Sequence, residues 1–595
     1  MRLIWVFLLW AMPLWAEQAA DGVAPEAAAP VLAGSSDPEV QAALAAKTAG
    51  VPVEAREWMI AAAHPLAVAA GATVLKAGGT AADAMIAVQA VLGLVEPQSS
   101  GLGGGAFLLW HDGATGEVTT LDGRETAPFA ATPQLFQTGD GKPMGFWDAV
   151  IGGRSVGVPG VPALLEVAHR RWGKQPWESL LAPAIDLAEG GFTVSPRLAA
   201  LVAADQERLA RHPETAGYFL PEGLSIAEGA RLTNPAYAAT LREMARAGAA
   251  AFYATGEGGI GRAIVEAVRG VPDNPGALSE LDLAAYRVRE RAEVYAPYRQ
   301  YEVCGMGPPS SDGVAVGQIL GMLGAFDLAA LGPESAEAWR LIGDASRLAF
   351  ADRERFLADE DFTPVPVQGL LDPAYFAERA GALRGEKALP SVEAGKPKWT
   401  HAGLRVDGVS LERPSTTHIS IVDRYGNALS MTSSIENAFG SRVMVRGFLL
   451  NNQLTDFSFV THREGVRVAN HVEPGKRPRS SIAPTIVRES GKPVLVIGSP
   501  GGSRIIGYVA QTVIAWADWG MDVQEAVAMP HLVNRFGRYE LEEGTSALGL
   551  APALEAIGFE TRGVEMTSGL HAIEIGEAGL FGGADPRREG IALDQ

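Results

Sequence analysis

The hydrophobic positions between residues 58 and 95 recur with a helical period. Ala, Val, Leu, Ile and Met return at spacings of three and four, in two runs separated by a Gly-Gly-Thr break. That spacing places apolar side chains on one face of a helix. Thr80, followed by Asp83, is suited to cap the second helix. The runs that predict helices are 66–77, 82–95, 162–172, 236–247 and 337–356.

A period of two replaces the helical period after residue 416. Ile419–Asp423 and Ala428–Ser433 flank Arg424-Tyr425-Gly426-Asn427, a pattern typical of a β-hairpin. Further strands are predicted at Phe448–Leu450, Thr485–Arg488 and Val494–Gly498, and helices at Arg504–Trp519 and Val523–Ala528. Strands followed by helices favour sheets that are covered by helices, an α+β architecture.

Two segments have no regular period. Residues 17–41 are rich in Ala, Pro, Gly and Ser, which predicts a flexible linker, here taken as 17–50. Residues 390–414 are rich in Gly, Pro and charge, which predicts an exposed loop and an accessible peptide bond at its end.

The first sixteen residues have the order of a secretory signal peptide. Arg2 precedes an apolar run, and Ala16 is suited to be the last residue before cleavage. The run is short for a membrane span and contains Pro13. We therefore expect a periplasmic or secreted protein that is free of the membrane once the signal is removed, with a signal anchor as the alternative.

Composition narrows the function classes. The 595 residues are 47% hydrophobic and 20% charged, enough for one large domain or two coupled ones. The net charge of −20 argues against nucleic-acid partners. Cys304 is the single cysteine, so no internal disulfide can form. The ten histidines show no metal-binding spacing, and we expect neither metal nor cofactor.

Two motif-like stretches do not fit their usual functions. The glycines of 101–105 lead into a predicted strand, whereas phosphate-binding loops lead into a helix. Ser155 lies in a Gly-x-Ser-x-Gly sequence, but Pro159 blocks the helix that a serine-hydrolase nucleophile requires.

Thr416 and Thr417 stand where the 390–414 loop meets the first strand of the hairpin. A threonine hydroxyl is a weak nucleophile unless a base lies beside it. Cleavage of the chain before Thr416 would free its α-amino group for this task, and that amine titrates at about pH 8 in model peptides. Two β-branched residues at the start of a strand are otherwise ordinary, so the motifs that follow are decisive.

Five motifs follow in a fixed order. They are Thr416-Thr417-His418, Thr432-Ser433-Ser434-Ile435-Glu436, the run 449–457, Lys476-Arg477-Pro478-Arg479-Ser480-Ser481 and the run 498–504. The set resembles the small subunit of γ-glutamyltranspeptidases, which are N-terminal nucleophile hydrolases. The likeness extends upstream through 101–105 and Arg124-Glu125, and downstream to 582–587.

The resemblance implies the architecture of the chain. Members of this family have an αββα four-layer sandwich built from two subunits of one self-cleaved precursor. Cleavage before Thr416 gives a large subunit, 51–415, and a small catalytic subunit, 416–595.

The resemblance also implies how an α-amino acid group is bound. Gln453 and Asp456 hold its ammonium. Arg124 offers a planar guanidinium to its carboxylate, and Ser480 and Ser481 add hydroxyl donors.

Four further residues take roles by the same resemblance. Glu436 strengthens ammonium binding. Ser434 stands where many members have a second threonine that bonds the nucleophile. Gly501 and Gly502 form the oxyanion hole through backbone N–H groups. The segment 459–475 is shorter than in members with a lid, so we expect a reduced lid or none.

The implied reaction cleaves the γ-glutamyl amide of glutathione or a related compound through an ester on Thr416. Water or an amino-acid or peptide acceptor then takes the γ-glutamyl group, with ping-pong kinetics. One alternative keeps the fold and makes the chain a glutaryl-cephalosporin-type acylase. Another makes it an unprocessed periplasmic binding protein for γ-glutamyl compounds.

Overall fold

The structure is a computed structural model and describes residues 37–401, 403–408 and 415–594. The predicted signal peptide, 1–16, and linker residues 17–36 lie outside the described residues. The end of the linker prediction is wrong, because Pro38–Ala49 is a helix that begins after Asp37 and ends at Gly50. The alanines that made this segment look like a low-complexity linker are also strong helix formers. Val40 and Ala43 are buried and hold the helix against the rest of the molecule.

Two seven-stranded sheets form the centre of the molecule, and every pair of neighbouring strands in them is antiparallel. The first sheet, called the nucleophile sheet because the predicted nucleophile Thr416 directly precedes one of its strands, runs Ile591–Leu593, Met59–Ala62, Thr417–Val422, Ala428–Ser434, Gly105–His111, Val118–Gly123 and Arg289–Arg291. The second sheet runs Val53–Ala55, Gly579–Ala584, His571–Gly576, Lys492–Gly498, Thr485–Glu489, Tyr301–Gly305 and Val294–Tyr298.

Helices cover the outer face of each sheet. On the nucleophile sheet they include Pro65–Lys76, Ala81–Val95, Val161–Trp172, Trp177–Gly190 and Pro235–Ala247. On the second sheet they are Asp312–Leu323, Ala336–Phe356, Ile505–Ala517 and Val523–Ala528. A third core, with Phe107 and Ile486 among its members, fills the space between the sheets. The expected αββα sandwich is therefore confirmed.

The remaining elements are short. The other α-helices within the described residues are Phe146–Val150, Pro196–Ala204, Gln206–Leu209, Pro213–Phe219, Ile260–Arg269, Glu280–Ala285, Leu328–Leu331, Val367–Leu370, Pro373–Gly381 and Ala551–Ala556. The 3₁₀ turns are Gly153–Ser155, Pro221–Gly223, Gly248–Ala251, Ala382–Arg384, Gln453–Asp456, Gly502–Arg504 and Ser546–Leu550. Small sheets pair Phe192–Thr193 with Arg231–Leu232, Met444–Val445 with Phe448–Leu449, His462–Arg463 with Val466–Arg467, and Leu532–Asn534 with Arg538–Glu542 and Glu560–Val564.

The helical prediction for 58–95 is correct except at its start. Thr80 and Asp83 form a capping box at the second helix. Residues Met59–Ala62 are instead a strand between two others in the nucleophile sheet, and all four are buried. A short apolar run buried on both faces carries no period that would separate strand from helix.

Both large sheets mix strands from the two sides of the Ser415–Thr416 bond. In the nucleophile sheet, Met59–Ala62 lies between Ile591–Leu593 and Thr417–Val422. In the second sheet, Thr485–Glu489 pairs with Tyr301–Gly305. The two predicted subunits therefore share both sheets and the core between them.

No helix within the described residues is long and apolar enough to cross a membrane.

Candidate active site

Thr416 lies directly before the strand Thr417–Val422, which is the third of the seven strands in the nucleophile sheet and pairs with the central strand. Its Oγ1 donates a hydrogen bond to the carbonyl oxygen of Ser415 at 2.6 Å, and stands 3.3 Å from Ser434 Oγ. Arg588 Nη1 donates to the Thr416 carbonyl oxygen at 3.0 Å. The hydroxyl is therefore held beside the peptide group that precedes it.

Ser434 ends the neighbouring strand Ala428–Ser434 and reaches the same carbonyl. Its Oγ donates to Ser415 O at 2.8 Å and accepts from the backbone N–H of Glu436 at 2.9 Å. A serine thus provides a hydroxyl group at the position where the resemblance implies a second threonine.

The accessible peptide bond expected before Thr416 is not found. Ser415 and Thr416 are only 2% and 3% exposed, and Ser415 Oγ donates to Gln98 O at 2.6 Å. The described parts of 390–414 do form an extended, largely exposed loop. Exposure would matter for cutting by another protein, whereas self-cleavage needs only that hydroxyl and carbonyl are aligned.

Arg124, Gln453 and Asp456 form one buried network. The 3₁₀ turn Gln453–Asp456 brings the two side chains of that turn together, and Gln453 Nε2 donates to Asp456 Oδ2 at 2.7 Å. Arg124 Nη2 donates to the same oxygen at 2.5 Å. Arg124 Nη1 makes no hydrogen bond within the described residues, and Gln453 Oε1 has no partner there either. A donor and an acceptor are thus available to a ligand.

Ser480 and Ser481 are fixed so that their hydroxyl protons can be donated. Ser480 Oγ accepts from the Ile482 N–H at 3.1 Å, and Ser481 Oγ accepts from Arg353 Nη2 at 2.8 Å. Arg353 Nε also donates to Ser311 Oγ, whose hydroxyl donates to the Ser480 carbonyl. A hydroxyl that already accepts one hydrogen bond can direct its own proton towards an anion.

Gly501 and Gly502 connect the strand Lys492–Gly498 to the helix Ile505–Ala517. Their φ angles of 140° and 59° lie in the region that favours glycine. A Cβ on Gly501 would come within 2.6 Å of the ring of Tyr508. The turn therefore requires glycine at this position.

Glu436 adopts a φ of 77°, which is uncommon for a residue with a side chain. Its carboxylate accepts a hydrogen bond from Asn452 Nδ2, and the two residues are buried. Strained backbone of this kind concentrates at functional sites, where surrounding contacts hold it.

These side chains surround one pocket of about 240 Å³. Nine of the ten predicted site residues line it, and Gly501 lies directly before the lining residue Gly502. The lining residues are Arg124, Thr416, Ser434, Glu436, Gln453, Asp456, Ser480, Ser481, Ile482, Gly502 and Ile505. No described residue of 459–475 is among them. The volume suits a ligand of amino-acid size rather than a drug-sized one.

Glu125 lies beneath this network and is fully buried. Neither of its oxygens has a hydrogen-bond partner among the described residues, and Arg124 Nη1 is 3.9 Å away. Burial raises the pKa of Glu125 to about 8 against the opposing effect of Arg124. The Arg124 guanidinium donates its hydrogen bonds to Asp456 and to backbone carbonyls rather than to Glu125. Glu125 is therefore protonated at neutral pH.

Three positions of this site were not predicted from the sequence. Arg353 sits in the helix Ala336–Phe356, where a charged residue carries no signal of a site. Arg588, beside Thr416, follows the Asp-Pro-Arg motif at the chain end. Lys47, in the helix taken for a linker, donates to the carbonyls of Arg588 and Gly590.

Comparison with known proteins gives consistent matches over almost the whole chain. A family model described as gamma-glutamyltranspeptidase matches residues 67–594. The glutathione hydrolase proenzyme of Bacillus subtilis (strain 168) is 37% identical over 551 residues, 90% of this chain and 91% of that protein. The acylase ACY 1 proenzyme of Pseudomonas sp. (strain SE83) is 36% identical over 542 residues, 90% of this chain and 92% of that protein.

A solved structure gives the same picture. The crystal structure of cephalosporin acylase from Bacillus halodurans superimposes with a TM-score of 0.80 and 27% identity, over 91% of this chain and 97% of that chain. Hydrolase and acylase relatives are thus almost equally similar in sequence, and the chemistry of the pocket must distinguish their substrates.

Proposed function

The chain belongs to the gamma-glutamyltranspeptidase family, and we propose that it is a self-cleaving γ-glutamyltransferase and hydrolase acting on glutathione and related γ-glutamyl amides. The observation that carries the substrate class is the pairing of opposite binding chemistries in one small pocket. Acidic groups, which suit an ammonium, lie beside Arg124 and two serine hydroxyls, which suit a carboxylate. A substrate that carries an ammonium and a carboxylate on one carbon requires both.

The first reaction is cleavage of the chain before Thr416. Thr416 Oγ1 adds to the Ser415 carbonyl carbon, and the Ser434 hydroxyl, 2.8 Å from the carbonyl oxygen, stabilises the charge that develops there. The C–N bond breaks, the nitrogen gains a proton, and Ser415 is left as an ester on Thr416. Water hydrolyses that ester, which ends the covalent link between the large subunit, 51–415, and the small one, and frees the amine and hydroxyl of Thr416.

Turnover repeats the same steps on the substrate. The freed α-amine takes the proton as Thr416 Oγ1 adds to the γ-carbonyl carbon, and Gly501 and Gly502 donate N–H groups to the oxyanion. The amide C–N bond breaks, the amine leaves with a proton, and a γ-glutamyl ester remains on Thr416. Water, or the amine of an acceptor, then releases the γ-glutamyl group.

Within the pocket, Gln453, Asp456 and Glu436 bind the α-ammonium, and Arg124, Ser480 and Ser481 bind the α-carboxylate. The buried Gln453 Oε1, which lacks a partner among the described residues, supports this assignment because an ammonium would satisfy it. Arg353 donates a hydrogen bond to Ser481 Oγ and so orients that hydroxyl.

The main rival is a glutaryl acylase of the same fold. A glutaryl group lacks the α-ammonium, so it would bring no cation to Asp456, Glu436 and the buried acceptor Gln453 Oε1. Unbalanced like charges in a buried site are costly, so the pocket favours γ-glutamyl substrates. An unprocessed binding protein finds no support among the relatives, which are named as hydrolase and acylase proenzymes.

Two measurements test the proposal. Kinetics on γ-glutamyl-p-nitroanilide and glutaryl-p-nitroanilide should show higher kcat/KM for the first, and a preference for the second would make the chain an acylase. N-terminal sequencing of the smaller fragment should begin at Thr416. A different first residue would move the nucleophile.

Export is part of the same proposal. Residues 1–16 direct secretion to the periplasm or the medium and are then removed. A fusion of residues 1–40 to a reporter that is active only outside the cytoplasm should become active, and deletion of 3–15 should abolish that activity.

A further inference from the structure

We propose that Ser415 is a positioning residue for self-cleavage, whose hydroxyl fastens the carbonyl side of the scissile bond to the buried segment 96–99. This contact acts once, before the chain is cut, and has no part in turnover. The inference rests on the self-cleavage in the proposed function and names a residue that sets its rate.

The peptide group to be cut is buried, although the loop that leads towards it is not. Ser415 and Thr416 are both buried. The described residues between 390 and 407 are all exposed or partly exposed. A chain that comes in from the surface needs contacts at its buried end to fix the carbonyl group that Thr416 attacks.

Three hydrogen bonds hold Ser415 within the described residues. Its carbonyl oxygen accepts from Thr416 Oγ1 at 2.6 Å and from Ser434 Oγ at 2.8 Å. Its own hydroxyl donates to the carbonyl oxygen of Gln98 at 2.6 Å. The first two bonds involve the groups that react, so their geometry changes as the carbonyl is attacked. The bond to Gln98 lies outside the reacting groups and can hold residue 415 throughout the reaction.

The acceptor of this bond belongs to a segment that is itself firmly held. Segment 96–99 directly follows the helix Ala81–Val95, in which every residue is buried. The carboxylate of Glu96 accepts a hydrogen bond from Arg197 at 2.7 Å, and both side chains are buried. An acceptor that the fold has already fixed loses little freedom when it binds Ser415.

The same segment aligns Ser434 with the scissile carbonyl. The Gln98 carbonyl oxygen accepts a second hydrogen bond, from the N–H of Phe439, and the Ser99 carbonyl oxygen accepts from the N–H of Ile435. Ile435 directly follows Ser434 in the chain. One short segment therefore binds both the residue whose carbonyl is attacked and the loop behind the hydroxyl that stabilises the developing charge.

Thr417 contacts this segment from the other side of the cut. Its Oγ1 donates to the Glu96 carboxylate at 3.3 Å, a longer bond than that of Ser415. The two neighbours of Thr416 are thus both bound by 96–99. Cleavage separates residue 415 from Thr416, whereas residue 417 stays covalently linked to it. The contact of Ser415 is therefore specific to the uncut chain.

Loss of this contact should slow the first step of cleavage. In that step the bond from Thr416 Oγ1 to the Ser415 carbonyl carbon forms and the C–N bond breaks, which requires that hydroxyl and carbonyl are held in register. Ser415→Ala removes the anchoring hydroxyl and keeps every reacting group. We expect self-cleavage to slow about five- to tenfold, as for the loss of one neutral hydrogen bond.

The experiment follows full-length chain made in a short pulse of cell-free synthesis. Loss of the uncut band on a denaturing gel gives the rate constant for cleavage of wild type, Ser415→Ala and Ser415→Thr. Because Ser415→Thr keeps the hydroxyl, we expect its rate to lie within about twofold of wild type.

Ser155→Ala is the matched control. Ser155 is also a buried serine of the large subunit, and its hydroxyl donates to the carbonyl oxygen of Val150 at the same distance of 2.6 Å. It is not among the residues that line the Thr416 pocket. We expect this variant to be cut at the wild-type rate, whereas a general loss of packing would slow both alanine variants.

Turnover by cut enzyme separates positioning from a general structural role. The kcat and KM on γ-glutamyl-p-nitroanilide, expressed per cut molecule, should be the same for Ser415→Ala and wild type. A lower kcat in cut Ser415→Ala would show that Ser415 supports the fold as a whole, and would overturn the inference.

The outcomes distinguish the two levels of the proposal. Wild-type chain that stays uncut, or is cut elsewhere than before Thr416, overturns the proposed function itself. Wild-type chain that is cut before Thr416, with Ser415→Ala cut equally fast, overturns the positioning role alone. Ser415→Thr that is as slow as Ser415→Ala also overturns it, because the hydroxyl would then not be the group that acts.

Discussion

The network at the inner end of the pocket and the ion pair beside the oxyanion turn use the same kinds of side chain in different ways. At the inner end, Arg124, Gln453 and Asp456 are each at most 3% exposed and share hydrogen bonds, while Arg124 Nη1 and Gln453 Oε1 make none within the described residues. Beside the turn, Arg535 donates to Glu540 and to the serine that directly follows the turn; this pair is called the turn cluster. We infer that the inner network binds the substrate, whereas the turn cluster holds the oxyanion turn in place.

Replacement of Thr416 should have the largest effect on self-cleavage and on activity. Thr416→Ala removes the hydroxyl next to the Ser415 carbonyl. We expect a single uncut chain on a denaturing gel, and turnover reduced by at least about 10⁴-fold. The hydroxyl of Thr417 contacts Glu96 at 3.3 Å, so the Thr417→Ala variant should still be cut and active. Two fragments from Thr416→Ala would point to another nucleophile, with Thr417 the first to test.

Asp456→Asn tests the inner end. The change leaves Arg124 without its 2.5 Å anionic partner and removes the charge for the ammonium. We expect kcat/KM for glutathione to fall about 10²–10³-fold. Glu540→Gln is the equivalent change in the turn cluster, and we expect a loss below about tenfold on the same substrate. Equal losses would contradict the division between the inner end and the turn cluster.

Replacement of Arg353 tests whether this residue acts by orienting the Ser481 hydroxyl or through its charge alone. Arg353→Met and Arg353→Lys both break the bridge between Ser311 and Ser481, and Lys keeps the charge. We expect both to raise KM about tenfold with kcat within about twofold. Full rescue by Lys would show that charge alone suffices. Arg355→Met, which breaks an outward ion pair with Asp407, is the control.

Glu125 should have the smallest effect, on stability alone. Its folded pKa of about 8 lies above the ordinary value of 4.5, so the folded state keeps a proton that the unfolded chain releases. Its contribution is complete below about pH 4.5 and is lost as the pH rises towards 8. Glu125→Gln cannot ionise, so its Tm should fall less than that of wild type between pH 5 and pH 8. Parallel curves would mean that Glu125 is ionised in the fold.

The sequence predicted the parts of the site that come as ordered motifs. Nine of ten chosen residues line one pocket although Arg124 and Ser481 are far apart in the chain. It could not predict Arg353, because nothing in a helical segment marks which charged residue faces a distant loop. The alternation in Thr417–Val422 was clear, but its polar face meets the second sheet rather than water. His418 and Ser420 are buried there and hydrogen-bonded.

The outer strands of the second sheet were harder to predict from sequence than its inner strands Thr485–Glu489 and Lys492–Gly498. Val294–Tyr298 and Tyr301–Gly305 lie at one edge and carry Tyr, Glu and Pro, which gives them little contrast with the loops around them. Gly579–Ala584 contains three glycines, which allow close packing. A Cβ at Gly582 would come within 2.4 Å of the Met59 sulfur. Residues that are required by packing between distant parts of the chain weaken the local sequence pattern that predicts a strand.

The interleaved strands decide what happens to the two products of self-cleavage. Neither fragment holds a complete sheet, so neither can leave without breaking ladders on both sides of the molecule. The cut complex should therefore not exchange its halves with a tagged copy, should resist dilution, and should melt in one step in which both chains unfold and separate together.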